Sequence, residues 1–139
     1  EYQLLEARAH GADAALLIVA ALDDATLLQL FRAALDLGLT PLIEVHDGGE
    51  LARVLPLEPP LVGVNNRNLW DFTVDLDATR RLRLLIPPSS VMVAESGIRE
   101  PGQMRELRAL GVDAALIGEA LVTAPDAGQR LRELKEAGR

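Results

Sequence analysis

A chain of 139 residues that is 49% hydrophobic, 25% charged and only 3% aromatic has the composition of a single globular domain and excludes a disordered or fibrous segment. Twenty-one acidic against fourteen basic side chains leave a formal charge of −7, the wrong sign for a groove that attracts a phosphate backbone, so no nucleic acid partner is expected. The longest apolar run, Ala14 to Leu22, is shorter than the ~20 residues of a transmembrane helix, and without cysteine there is no disulfide framework, zinc–thiolate site or thiol nucleophile, which leaves no membrane role and a cytoplasmic, reducing compartment by default.

The chain opens inside a helical pattern, Tyr2, Leu4, Leu5, Ala7 and Ala9, with Gly11 as its stop. It begins at Glu1 without methionine, which is expected not to be a natural start. The unbroken run Ala14 to Leu22 reads as a buried parallel strand, because it is too short for a two-faced helix. Asp23 or Asp24 then supplies an N-cap, and Leu27, Leu28, Phe31, Ala34 and Leu35 recur at helical spacing up to Gly38. The same alternation continues through a strand at Pro41 to Val45, a short helix around Glu50 to Leu55, a strand at Leu61 to Val64 and a helix from Leu76 to Leu85. A strand at Val91 to Glu95 precedes a helix opened by Pro101, and a fifth strand, Ala114 to Ile117, precedes a last helix opened by Pro125 with Leu131 and Leu134 inside.

His10 to Leu17 and Leu110 to Ile117 match in register one hundred residues apart, separated by four strand–helix units. That gives about 25 residues per unit, near the ~31 of a (β/α)8 barrel divided by eight. Residues 1–139 are therefore read as one α/β domain of about five parallel strands. Five-eighths of a TIM-type barrel and a complete doubly wound sheet both satisfy this periodicity.

In either architecture functional groups stand at the C-terminal ends of strands. Glu44 lies inside the apolar strand Leu42-Ile-Glu-Val-His-Asp47, where desolvation suits a carboxyl to proton transfer, although an isolated strand glutamate more often pairs with a neighbouring arginine. His46 shares its side of the strand and reads as a solvated or capping residue. Asn65-Asn-Arg-Asn68 has amides and a guanidinium without a carboxylate, a set that fits an anionic substrate bearing hydroxyls as well as it fits an Asn-rich turn. Trp70 and Phe72 follow, placed to cover a ring-bearing ligand but more often, in this position, helix-packing anchors. Ser96-Gly97 and Gly118-Glu119 bring glycines to the ends of successive strands, where backbone N–H groups can meet a phosphate.

Glu6-Ala-Arg-Ala9, Leu42-Ile-Glu-Val-His-Asp47, Gly63-Val-Asn-Asn-Arg-Asn-Leu69, Ala94-Glu-Ser-Gly-Ile98 and Leu116-Ile-Gly-Glu-Ala-Leu121, in this order and spacing, resemble indole-3-glycerol phosphate synthase. The resemblance covers essentially the whole chain and implies a (β/α)8 barrel of which these residues are strands four to eight, the first three units being absent. It implies ring closure of carboxyphenylamino-deoxyribulose phosphate with loss of carbon dioxide and water, a step of tryptophan biosynthesis that uses neither metal nor cofactor. By the same resemblance Glu44 is the proton-transfer group and Asn65 positions the substrate, while Arg67 binds its carboxylate. Ser96, Gly97 and Gly118 meet the sugar and phosphate, Glu119 contributes only its N–H with its carboxylate turned away, and Glu95 is a lesser candidate. The family's general acid is a lysine on a strand that precedes these residues. The only lysine here, Lys135, sits on the last helix. The isolated chain is accordingly expected to be inactive, and to associate with the missing N-terminal units or with itself through unpaired strand edges. The alternative is a non-catalytic phosphate-binding half-barrel or assembly module.

Overall fold

A computed structural model describes residues 1–139. Its strands β1 (Ala14–Ile18), β2 (Thr40–Val45), β3 (Leu61–Asn65), β4 (Val91–Glu95) and β5 (Ala114–Leu116) form one parallel sheet in sequential order. The helices are α1 (Tyr2–Ala9), α2 (Asp24–Asp36), α3 (Gly48–Val54), α4 (Asp77–Arg83), α5 (Pro101–Ala109), α6 (Glu119–Val122) and α7 (Ala127–Ala137). None of them is long and apolar enough to cross a membrane. A doubly wound sheet reverses its order at a switch point, so the uninterrupted order β1 to β5 rules that architecture out. Right-handed crossovers that all advance in one direction leave the helices on one face, which makes the chain an arc of a TIM-type (β/α)8 barrel.

Strand register sorts the side chains into two faces. Ile43, Val45, Val62, Val64 and Met92 point to the helices and are fully buried with Leu27, Leu51 and Val54. Each such side chain contributes roughly 1.5–3 kcal/mol of burial free energy. On the opposite face, cross-strand pairing aligns Leu16 with Leu42, Glu44 with Gly63, Asn65 with Glu95, and Glu95 with Leu116. This face is open, with Leu16 and Val91 half-exposed and Leu116 56% exposed. In a closed barrel, side chains of the remaining strands fill that interior.

The apolar run Ala14 to Leu22 departs from its reading as one buried strand. β1 ends at Ile18, where its pairing with β2 ends at Glu44, and a 3-10 turn at Val19–Ala21 folds Val19 into the helix-side core. As an edge strand, β1 buries only Leu17. α7 starts at Ala127 and not at Pro125, because the Asp126 side chain caps it by accepting the Gln129 N–H. Asp23 caps α2 and Asp47 caps α3 in the same way, each worth about 1 kcal/mol. Of the two leucines expected inside α7, Leu134 is buried and Leu131 is 50% exposed, since α7 meets α5 and α6 along a single stripe.

Candidate functional site

Glu44 near the end of β2 and Glu95 at the end of β4 lie on the open face, one on each side of β3. They are only 4% and 3% exposed. Gly63, on the strand between them, makes the approach possible, since a Cβ there would overlap the Glu95 carboxylate. Contrary to its usual reading as an ion-paired core residue, Glu44 has no arginine partner, its neighbours being Glu95 and His46. Burial, then the Glu44 charge, then the hydrogen bond between the two carboxyls push Glu95 up to about 7. Glu95 thus keeps its proton against Glu44, which places a proton at the strand ends. Two carboxyls in such contact cannot both ionise cheaply, the arrangement in which proton-transfer groups are found.

The raised value carries a stability consequence. In the unfolded chain Glu95 loses its proton near 4.5, whereas in the folded protein it keeps it to about 7. Between these values folding takes up a proton, so stability falls as pH rises through this window and levels off above it. Glu95→Gln is expected to flatten that slope, checked by urea unfolding at pH 5 and pH 8. Equal slopes in the two proteins would count against the shared proton.

The Asn65 to Asn68 segment divides its labour. Asn65 Oδ1 accepts the Arg67 N–H at 3.0 Å, holding the turn that aims Arg67. Asn66 faces away from the site and is a structural clamp, donating to the carbonyls of Glu95 at 3.0 Å and Ser96 at 3.3 Å and accepting the Thr79 hydroxyl at 2.7 Å. Asn68 closes another turn by accepting the Trp70 N–H. Of the four side chains read as an anion-binding cluster, only Arg67 enters the cavity beside Ser96 and Gly97, while Asn65, aligned with Glu95, borders the neighbouring cavity that holds His46. Trp70 and Phe72 do not anchor a helix, for Trp70 is 95% exposed and Phe72 projects from the same loop.

Arg67, Glu95, Ser96, Gly97, Gly118 and Glu119 line one cavity of about 340 Å³ together with Arg99. The Glu119 carboxylate is not turned out of it. It accepts from Arg67 at 2.8 Å and from Arg99 at 2.6 Å, so the two guanidiniums already share an internal anion. Exposed pairs of this kind contribute ~0.2–1 kcal/mol each, little for an incoming carboxylate or phosphate to displace. Arg99 escaped the sequence reading, the only signal being a basic residue directly after Ser96-Gly-Ile98. Gly97 is needed locally, with φ at +75° and no room for a Cβ beside Val74. Gly118 has no such need, as its φ is negative and the space above it is empty. Neither glycine's N–H is used in a hydrogen bond within the chain, and both border the cavity.

The family model for indole-3-glycerol phosphate synthase matches residues 1–134. The indole-3-glycerol phosphate synthase of Roseiflexus castenholzii is 53% identical over 135 residues, covering 96% of this chain and 50% of its own. That of Acidovorax sp. strain JS42 is 48% identical over 133 residues, with the same coverage. The chain spans about half the length of these curated relatives. Among solved structures, a 3-hexulose-6-phosphate synthase superposes with a TM-score of 0.77 at 19% identity, over 99% of this chain and 69% of its own. Thiamine phosphate pyrophosphorylase from Pyrococcus furiosus does so with 0.74 at 20%, over 97% and 63%. At such identities the structural likeness speaks for the fold alone.

Proposed function

Because the chain belongs to the indole-3-glycerol phosphate synthase family, we propose that it carries the proton-transfer, carboxylate-binding and phosphate-binding groups for closing the indole ring of indole-3-glycerol phosphate. The reading is carried by the Glu44–Glu95 carboxyl pair, buried at the strand ends and opening toward the Arg67 cavity. In it, Glu44 moves the proton that lets a hydroxyl leave as water, with Glu95 tuning its charge. Asn65 positions the substrate, and Arg67 exchanges the Glu119 carboxylate for that of the substrate. The N–H groups of Gly97 and Gly118, with the Ser96 side chain, receive the phosphate, and Glu119 adds its N–H.

These residues lack one component. Ring closure needs an acid to protonate the ketose oxygen, and Lys135 is exposed on α7, on the helix side of the sheet. A general acid is typically worth ~10²–10⁴ in rate, so these 139 residues alone are read as inactive. The open apolar face of the sheet is the surface on which further N-terminal βα units would close the barrel, and without them a second copy would cover it.

The test joins the N-terminal half of the Roseiflexus castenholzii relative to this chain on one polypeptide and assays turnover of carboxyphenylamino-deoxyribulose phosphate. Turnover is expected in the joined barrel and not in the chain alone. Within the joined barrel, Arg67→Ala is expected to raise KM by about tenfold or more, the loss of a charged hydrogen bond. A silent joined barrel would overturn the assignment, and turnover by the isolated chain would overturn the reading that these residues lack their acid.

A further inference from the structure

We propose that His46, held by Glu50, is a positioning residue for Glu44, its ring fixing the carboxyl that moves the proton. The inference rests on the proton-transfer role proposed for Glu44. The ring stands between two carboxylates, with Nδ1 3.1 Å from Glu50 Oε2 and Nε2 3.4 Å from Glu44 Oε1. Glu50 is itself fixed, because the same Oε2 accepts the His46 backbone N–H at 2.8 Å while its own N–H is bonded to Asp47 at 2.9 Å. Donation from Nδ1–H to Glu50 leaves Nε2 as an acceptor facing Glu44, ready for a hydrogen bond from that carboxyl when it holds the proton, so the outer carboxylate sets the tautomer that the inner one meets.

Two observations separate this role from that of a solvated or capping histidine. The α3 cap is made by Asp47, so His46 is not needed for it. Its Nε2 is buried and has no hydrogen-bond partner, and Glu44 Oε1 stands 3.4 Å from it. An orphaned buried nitrogen calls for an explanation. Catalytic hydrogen bonds are often long before substrate arrives and tighten when it does, and a base oriented by a third group is a recurrent arrangement. The charged groups around the ring are Glu44 on β2, Asp47 and Glu50 at the start of α3, and Asp75 and Arg81 across a cavity of about 380 Å³. Glu44 in turn faces Glu95 on β4.

In the joined barrel, His46→Asn keeps an amide near Nδ1, able to bond Glu50, but removes the atom facing Glu44. It is expected to lower kcat about ten- to a hundredfold with KM within about twofold, less than loss of the proton-transfer group itself. The pH profile of kcat should move as well, and His46→Gln, with an amide near Nε2, should recover part of the rate. A His46→Asn variant with full kcat and an unmoved profile overturns the proposal. If Glu44→Gln also keeps full turnover, the proton-transfer reading fails with it; if Glu44→Gln is dead and His46→Asn is not, only the positioning role fails. Nitrogen-15 spectra of the rings give a readout independent of activity, since His10 is the only other histidine. A protonated Nδ1 that loses its hydrogen bond in Glu50→Gln is expected, and a bare Nδ1 would refute the arrangement.

Discussion

Glu44→Gln in the joined barrel is expected to lower kcat by about 10²–10⁴-fold while leaving KM within a few-fold of the parent. Glutamine is nearly isosteric, so it fits between Glu95 and His46 without disturbing the fully buried Ile43 and Val45 on either side. Its amide oxygen still accepts from protonated Glu95, and its NH₂ can meet His46 Nε2. What it cannot do is take or return a proton. The substitution therefore removes the chemistry and keeps the packing, and Arg67, across the cavity, still binds the substrate carboxylate. Steady-state kinetics with circular dichroism as the folding control separates this from misfolding. A variant with parental kcat would leave Glu44 a structural carboxylate.

The alternation of strands and helices, the cap at Asp23, and the strand containing Glu44 are legible because each depends on residues within a turn or two of one another. Choosing between an arc of a barrel and a doubly wound sheet is a matter of strand order, which periodicity does not encode. Asn65 and Asn66 show the same limit at the scale of one residue. They are neighbours of one type, and only register with Glu95 puts Asn65 on the open face while its neighbour turns back to clamp Thr79. The carboxyl pair joins residues 44 and 95 across an intervening strand, and its enabling residue, Gly63, looks in the sequence like a weak point in a strand. Arg99 and Glu119 are exposed and distant in the chain, so nothing local announces that they share an ion pair. The end of β1 was hidden for another reason, since Val19 to Leu22 is as apolar as the strand itself and composition does not mark where the strand gives way to the 3-10 turn at Val19–Ala21.

Gly63→Ala is expected to cost about 10²-fold in kcat with thermal stability unchanged or raised, a separation of catalysis from folding that few core substitutions allow. The added methyl would overlap the Glu95 carboxylate and come within 3.2 Å of the Leu42 side chain. Gly63 is not among the glycines with positive φ, so the backbone itself accepts alanine, and the reduced freedom of the unfolded chain favours folding by roughly 0.4–1 kcal/mol. Glu95 must then swing toward the open face, where solvent relieves its burial and its contact with Glu44 is lost. Small displacements of reacting groups cost on the order of 10²-fold in rate, which sets the expected size. The same movement should return Glu95 toward its ordinary value of 4.5, so the fall of stability between pH 5 and pH 8 should vanish as it does in Glu95→Gln. Kinetics on the joined barrel and urea unfolding at the two pH values test both halves together. Full activity in Gly63→Ala would mean that Glu95 need not touch Glu44, whereas an unfolded protein would mean that the pair's position is fixed by the whole sheet and not by the gap at one glycine.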